Sequence, residues 1–95
     1  MSDRDAYVDK MKAKIEQWNH DLAKLEAKAK EAEADMRIRY DEQIKELREQ
    51  RDHAEERLRE LREASEDSWK QLREGMESAW DETTKAFRNA WDRFR

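Results

Sequence analysis

The stretch SWKQLREGMESAWDETTKAFRNAWDRFR, residues 68–95, places three of the chain's four tryptophans eleven positions apart, at Trp69, Trp80 and Trp91. Eleven residues make almost three full turns of an α-helix, so this spacing keeps the three indoles on one side of a nearly untwisted helix. At about 100° per residue, the large apolar side chains of residues 65–94 fall within an arc of about 140°, and Glu74 and Asp81 project opposite them. The segment predicts a strongly amphipathic helix.

An apolar stripe with the same helical spacing runs through almost the whole chain, because its positions recur in steps of three or four from Tyr7 onward. The steps alternate four and three in the heptads from Trp18 to Met36 and from Leu47 to Leu61, and they follow a four, four, three order elsewhere. Heptads favour a left-handed supercoil and 11-residue repeats a slightly right-handed one, so their mixture predicts a nearly straight helix. The stripe residues that we expect to contact an oligomer partner or a lipid surface are Trp18, Leu22, Leu25, Met36, Tyr40, Ile44, Leu47, Leu58, Leu61, Trp69, Leu72, Met76, Trp80, Phe87, Trp91 and Phe94.

Polar side chains occupy a few positions of this apolar stripe. Arg51 either extends its guanidinium outward or fixes the register of packed helices. Ser65, in the segment ASEDSW (64–69), is a candidate cap for a new helix.

Acid–base pairs four residues apart, such as Glu33–Arg37, add about 0.2–0.5 kcal/mol each to a helix and predict a solvated outer face.

The composition favours helix from end to end, because the chain has a single glycine, Gly75, and no proline. Only 36% of its residues are apolar, below the usual ~45–50% for a globular domain, and this argues against a compact core. We predict an all-α fold in which one long amphipathic helix, with mixed heptad and 11-residue repeats, forms a coiled coil or helical bundle. Such a helix of about 90 residues would be about 135 Å long. A helical hairpin bent near residues 30–35 or 64–68 is the second choice.

The predicted domain organisation is simple. Residues 1–5 form an N-terminal cap or tail, in which Ser2 and Asp5 resemble a capping box. Residues 6–95 form a single coiled-coil helical domain, with a tryptophan-rich 11-residue-repeat segment at 61–94.

The sequence offers little to catalysis or metal binding. It contains no cysteine, and its two histidines are His20 and His53. Glu16 shares a helical face with His20, but the two supply fewer ligands than the three or four that zinc takes from a protein. A rod also lacks a cleft that would exclude water from a reaction. We therefore expect no enzyme activity, no catalytic, cofactor-binding or metal-binding residues, and no small-molecule substrate.

The charge balance bears on partners and location. The chain has 21 basic and 25 acidic residues, a net charge of −4, and no basic face that would indicate nucleic-acid binding. No run of about 18 apolar residues predicts a membrane span, and the N-terminus lacks the apolar core of a signal peptide. The expectation is a cytoplasmic protein, peripheral to a membrane at most.

The segments AYVDKMKAKIEQWNHDLAKLEAKAKEAEAD (6–35) and LREASEDSWKQLREGMESAWDETTKAF (61–87) resemble a family of small bacterial coiled-coil proteins whose cyanobacterial branch is labelled a stress-response family. The similarity covers nearly the whole chain. The resemblance implies a soluble bacterial coiled coil with a hint of stress physiology, and it implies no catalytic residues.

The stripe itself suggests what the protein does, because a continuous apolar strip about 135 Å long exceeds the ~300–600 Å² that soluble monomers usually expose. Self-association in a homo-oligomer would cover it and would make the protein a scaffold, spacer or filament subunit. Reversible binding to a membrane or lipid surface would also cover it, as in exchangeable apolipoproteins, whose 11-residue repeats it resembles. Docking on the helices of another protein is the third interpretation.

Overall fold

The computed structural model describes residues 3–93, which form three α-helices and no strand: α1 Asp3–Glu31, α2 Ala34–Glu63 and α3 Trp69–Arg93. The all-α prediction is confirmed. The chain does not continue as one long helix, however, because it turns back in both segments, 30–35 and 64–68, that the second choice named. α1 already begins at Asp3, and the cap predicted at Ser2 lies outside the described residues.

The three helices lie side by side in a bundle 51 Å long and 20 × 18 Å in cross-section. α1 and α2 run antiparallel, and α3 returns alongside α1 in the same direction, so that Tyr7 contacts Glu77 and Trp18 contacts Trp80. The molecule is thus far shorter than the rod of about 135 Å that an uninterrupted helix would make. It is short because the chain turns back twice. The three segments of the apolar stripe then cover one another within a single chain.

The core is a single column of side chains contributed by all three helices. Its fully buried large residues are Met11 and Leu25 in α1, Leu47 and Leu61 in α2, and Met76 in α3. Burying a side chain of this size stabilises the fold by about 1.5–3 kcal/mol relative to its exposure. The stripe therefore encodes a core even though the overall apolar content is low.

The first connector, residues 32–33, joins α1 to α2 without glycine, proline or a polar cap. Glu33 is extended, with φ −67° and ψ 160°, and its side chain makes no capping hydrogen bond. The Ala32 amide donates to the Ala29 carbonyl at 3.2 Å. The guanidinium of Arg37 donates to the same Ala29 carbonyl and to the carbonyls of Lys30 and Ala32. An α2 side chain thus replaces the usual helix stop signals.

The second connector, residues 64–68, is capped by its own sequence. The Ser65 hydroxyl accepts from the Ser68 amide at 3.2 Å, and the Ser65 carbonyl accepts from the Trp69 amide at 3.0 Å. This is the cap that the sequence predicts at Ser65. Arg4 from the start of α1 donates to the Ala64 carbonyl, and its Nη2 lies 3.2 Å from Glu66 Oε1. The second connector is therefore fixed from within and from α1.

Candidate interaction surface

The apolar stripe is folded inward, so most of its residues form the bundle core rather than an outer surface. Two members, Leu72 and Trp91, are half-buried. Met36 keeps 39% of its surface exposed, and Phe94 lies outside the described residues. The buried members are Trp18, Leu22, Leu25, Tyr40, Ile44, Leu47, Leu58, Leu61, Trp69, Met76, Trp80 and Phe87. One chain thus covers nearly all of its own stripe.

An aromatic stack joins α1 to α3 at the middle of the bundle. The Trp18 and Trp80 rings have centroids 3.9 Å apart and planes inclined by 20°. Phe87 stacks on Trp18 at 5.5 Å with planes 9° apart. Such pairs add about 0.5–1.5 kcal/mol each beyond the area they bury. Trp80, the middle member of the eleven-residue tryptophan series, therefore packs as a core residue against another helix of the same chain.

Cationic side chains lie over the rings of two α3 tryptophans. Lys14 and Lys28 of α1 place their Nζ atoms 4.9 Å and 4.8 Å from the ring centroids of Trp80 and Trp91. Contacts of this kind contribute about 0.5–1 kcal/mol at exposed sites. Sequence reasoning missed both lysines, because their position over the rings depends on the pairing of α1 with α3.

A phenol–carboxylate contact fixes the beginning of α1 beside α3. The Tyr7 hydroxyl donates to Glu77 Oε1 at 3.1 Å. Burial raises the pKa of Tyr7 above its ordinary value, and the hydrogen bond to the Glu77 carboxylate raises that pKa further. The phenol therefore stays protonated and remains a donor throughout the neutral pH range. The next residue, Val8, is a core residue that the stripe positions omitted, and it is 6% exposed.

The polar members of the stripe are accommodated in two ways. Arg51 turns its guanidinium outward, where Nη1 donates to Asn19 Oδ1 at 2.9 Å and Nη2 lies 3.0 Å from Asp52 Oδ1. Its bond to Asn19 joins α2 to α1. Thr83 is buried, and its hydroxyl donates to the Ala79 carbonyl at 2.9 Å. A buried hydroxyl satisfied in this way adds little penalty to the core.

The exposed apolar surface is concentrated at the start of α2. Met36, a stripe residue, is 39% exposed, and Ile38, which lies off the stripe, is 59% exposed. A groove between α1 and α2 nearby is lined mainly by charged side chains, including Glu26, Arg37 and Arg48. The first connector is therefore the place where the stripe reaches the surface.

Both histidines, His20 and His53, are exposed. Within residues 3–93, no group of three or more histidine, cysteine, aspartate or glutamate side chains is placed to hold a metal ion. None of the helices of the described chain combines the length and apolar content needed to cross a membrane. No protein-family model, no curated protein and no solved structure matches the chain. The functional interpretation accordingly rests on the stripe and the two connectors.

Proposed function

We propose that the protein is a non-enzymatic interaction protein that associates with further copies of itself through the apolar stripe, as a scaffold, spacer or filament subunit. The observation that carries this proposal is the unbroken phase of the stripe across both connectors. Ala29, Ala32 and Met36 continue its steps across the first connector, and Leu61, Ser65 and Trp69 continue them across the second. The helical phase of one helix need not match that of the next when a turn separates them. A closed bundle alone therefore gives no reason for continuity, whereas an assembly in which a connector becomes helical requires it across that connector.

The surface charge supports the approach of further copies. The 21 basic and 25 acidic residues are interspersed, so the net charge is only −4 and repulsion between chains is weak. Met36 adds an exposed stripe residue at the first connector. The stress-related role that the resemblance implies, and a cytoplasmic location, belong to the same proposal.

Analytical ultracentrifugation over a wide concentration range tests the proposal. The expected result is a mass that rises with concentration from the 11.6 kDa of one chain. Met36→Glu places a charge on the exposed part of the stripe and is expected to weaken the association. Ile38→Glu places the same charge on a more exposed residue off the stripe, and it serves as the matched control that leaves the association unchanged. A protein that stays monomeric at every concentration would overturn the proposal.

A lipid surface is the second candidate for covering the stripe. The observation in its favour is the concentration of aromatic residues on α3, where Trp91 is half-buried and Lys28 lies 4.8 Å from its ring. Tryptophan and lysine suit the boundary between lipid head groups and acyl chains. Opposing it, residues 65–95 contain seven acids and six bases, so anionic lipid exerts no net electrostatic attraction. Self-association is therefore the better supported function.

A further inference from the structure

The side chain of Arg37 bonds to the first connector and the end of α1 at three points. Its Nε donates to the Ala29 carbonyl at 3.3 Å, and its Nη2 donates to the Lys30 carbonyl at 3.2 Å and the Ala32 carbonyl at 3.4 Å. In a continuous α-helix these three carbonyls would accept from the amides four residues later. The guanidinium thus takes the place of the backbone donors that the turn removes.

The remaining features of this connector favour helix over turn. Residues 27–37, AKAKEAEADMR, consist of alanine, lysine, glutamate, aspartate, methionine and arginine, most of which are strong helix formers. None of the described residues has a positive φ, and Glu33 supplies no cap. If the connector became helical, Glu33 and Arg37 would form a favourable pair four residues apart. The closed turn therefore persists because of packing and Arg37, and not because of local sequence.

The geometry points to helix exchange between two copies of the chain as the mode of self-association, an inference that rests on the proposed function. In the exchanged dimer the first connector becomes helical, so that α1 and α2 form one helix over residues 3–63. The α1 segment of each copy then leaves its own bundle and occupies the same place beside α2 and α3 of the other copy. The arrangement has two-fold symmetry and closes on itself.

The register of the closed bundle predicts what lies on the two-fold axis. Glu26 pairs with Arg48 and Asn19 with Arg51 across the antiparallel α1–α2 interface. When the same register is continued between two copies, Met36 comes to lie opposite Met36 of the second copy. Exchange thus covers the stripe residue that the closed bundle leaves exposed.

The core contacts and the second connector are the same in both states. The Trp18–Trp80 stack and the contact between Arg4 and the Ala64 carbonyl form within one chain in the monomer and between chains in the dimer. The Ser65 cap keeps α3 folded back on α2 in either state. The exchange therefore adds helical hydrogen bonds at the first connector and loses the three bonds of Arg37 and the bond from the Ala32 amide to the Ala29 carbonyl.

Two substitutions at the first connector move this equilibrium in opposite directions. Ala34→Pro suits the closed turn, because Ala34 is the first residue of α2 and the preceding residue is already extended. Proline at that position blocks a continuous helix, so the dimer is expected to disappear.

Arg37→Ala removes three bonds from each closed chain and is expected to lower the dimer dissociation constant by roughly tenfold or more. Arg39→Ala, two residues further along the same helix, is the control and leaves the dissociation constant unchanged.

Cross-linking identifies the exchanged arrangement directly, because the chain has no native cysteine. Glu26→Cys and Arg48→Cys introduce single thiols on the exposed, paired positions of α1 and α2. Chains carrying one or the other are unfolded together, refolded at high concentration and treated with a short bismaleimide. Exchange predicts a covalent dimer containing one chain of each kind, and Ala34→Pro in both chains abolishes it. A chain carrying both cysteines, cross-linked within itself when dilute, verifies that the two positions are within reach.

The outcomes separate the inference from the proposed function. Association in ultracentrifugation without the mixed covalent dimer overturns helix exchange while self-association stands. A protein that is monomeric even as Arg37→Ala overturns both. A third outcome is that the closed bundle is lost only when vesicles are added and that no cross-linked dimer forms. This outcome also overturns exchange, and it assigns the opened helices to a lipid surface. If Ala34→Pro fails to fold, Ala34→Gly disfavours the continuous helix more mildly and is expected to reduce the mixed dimer.

Discussion

Trp18 is a buried residue of α1 that packs against two aromatic side chains of α3. It is 5% exposed and stacks on both Trp80 and Phe87, so one side chain from α1 occupies the space between two from α3. A sequence can indicate that Trp18 is apolar and on the stripe. It cannot indicate which ring it meets, because that pairing exists only after the chain has turned back twice.

Replacing Trp18 with alanine is expected to destabilise the protein by about 3–5 kcal/mol, because it leaves a cavity and removes both stacking contacts. Trp91→Ala is the matched control, and it should cost clearly less because Trp91 is half-buried. Urea unfolding, monitored by far-UV circular dichroism, measures the free energy of unfolding of both variants, because that signal does not depend on the tryptophans. Equal losses for the two variants would contradict the stack. Trp18→Phe keeps an aromatic ring and provides a folded variant if Trp18→Ala does not fold.

At the scale of the helices, α3 contains a residue whose local preference opposes its helical structure, Gly75. It lies inside the helix, where glycine costs about 0.5–1 kcal/mol relative to alanine. A Cβ atom added there would meet Arg57 Nη1 at 3.8 Å, an ordinary contact with the end of a flexible side chain. The site therefore has space for alanine.

Gly75→Ala is expected to stabilise the protein by about 0.5–1 kcal/mol, because it restricts the unfolded chain without creating a clash. A change of 1 kcal/mol raises Tm by roughly 4–8 °C in a domain of this size. Thermal unfolding by circular dichroism provides the measurement. Gly75→Pro is the control, and it should have the opposite effect by destabilising the protein by about 3 kcal/mol or more. A neutral or destabilising Gly75→Ala would mean that residue 75 is not in a helix interior.

The helix boundaries show how far the sequence determines the elements. The all-α fold and the stripe follow from the 3.6-residue period, and the Ser65 cap follows from a known start signal. The first connector has no such signal, and the sequence indicates residues 30–35 only as one of two possible bends of a helical hairpin. The sequence predicts that Arg37 pairs with Glu33, but in the structure Arg37 donates to α1 carbonyls instead. Those carbonyls come within reach of Arg37 only when α2 folds back beside α1.

At the scale of the whole molecule, low apolar content and a continuous stripe led to the expectation of a rod. The bundle reconciles them, because three helices in a cross-section of 20 × 18 Å need only one column of core side chains. Each helix buries one narrow face and keeps the rest charged. The same faces would serve equally well in longer, exchanged helices, and the continuity of the stripe across the connectors is the feature of the sequence that favours an assembly.

The closed bundle also determines how lipid binding must be tested. Trp18, Trp69 and Trp80 are each 7% exposed or less before any lipid is present, so a blue-shifted emission would not distinguish a core from a membrane. A quencher in the acyl chains does distinguish them. We predict that vesicles of brominated phospholipid, neutral or anionic, leave the emission of these three tryptophans unquenched. Opening the bundle would break the aromatic stack, and the balanced charges of α3 supply no compensating attraction.

The half-buried Trp91 would complicate this measurement, because it can touch a vesicle while the bundle stays closed. Trp91→Phe removes its signal and retains an apolar ring, so the remaining emission reports the buried tryptophans alone. Acrylamide in water should then quench this variant less than the parent protein, which establishes that the core is closed. Quenching of Trp91→Phe by the brominated lipid would show that the stripe opens onto acyl chains. Lipid-surface binding would then replace self-association as the function of the stripe.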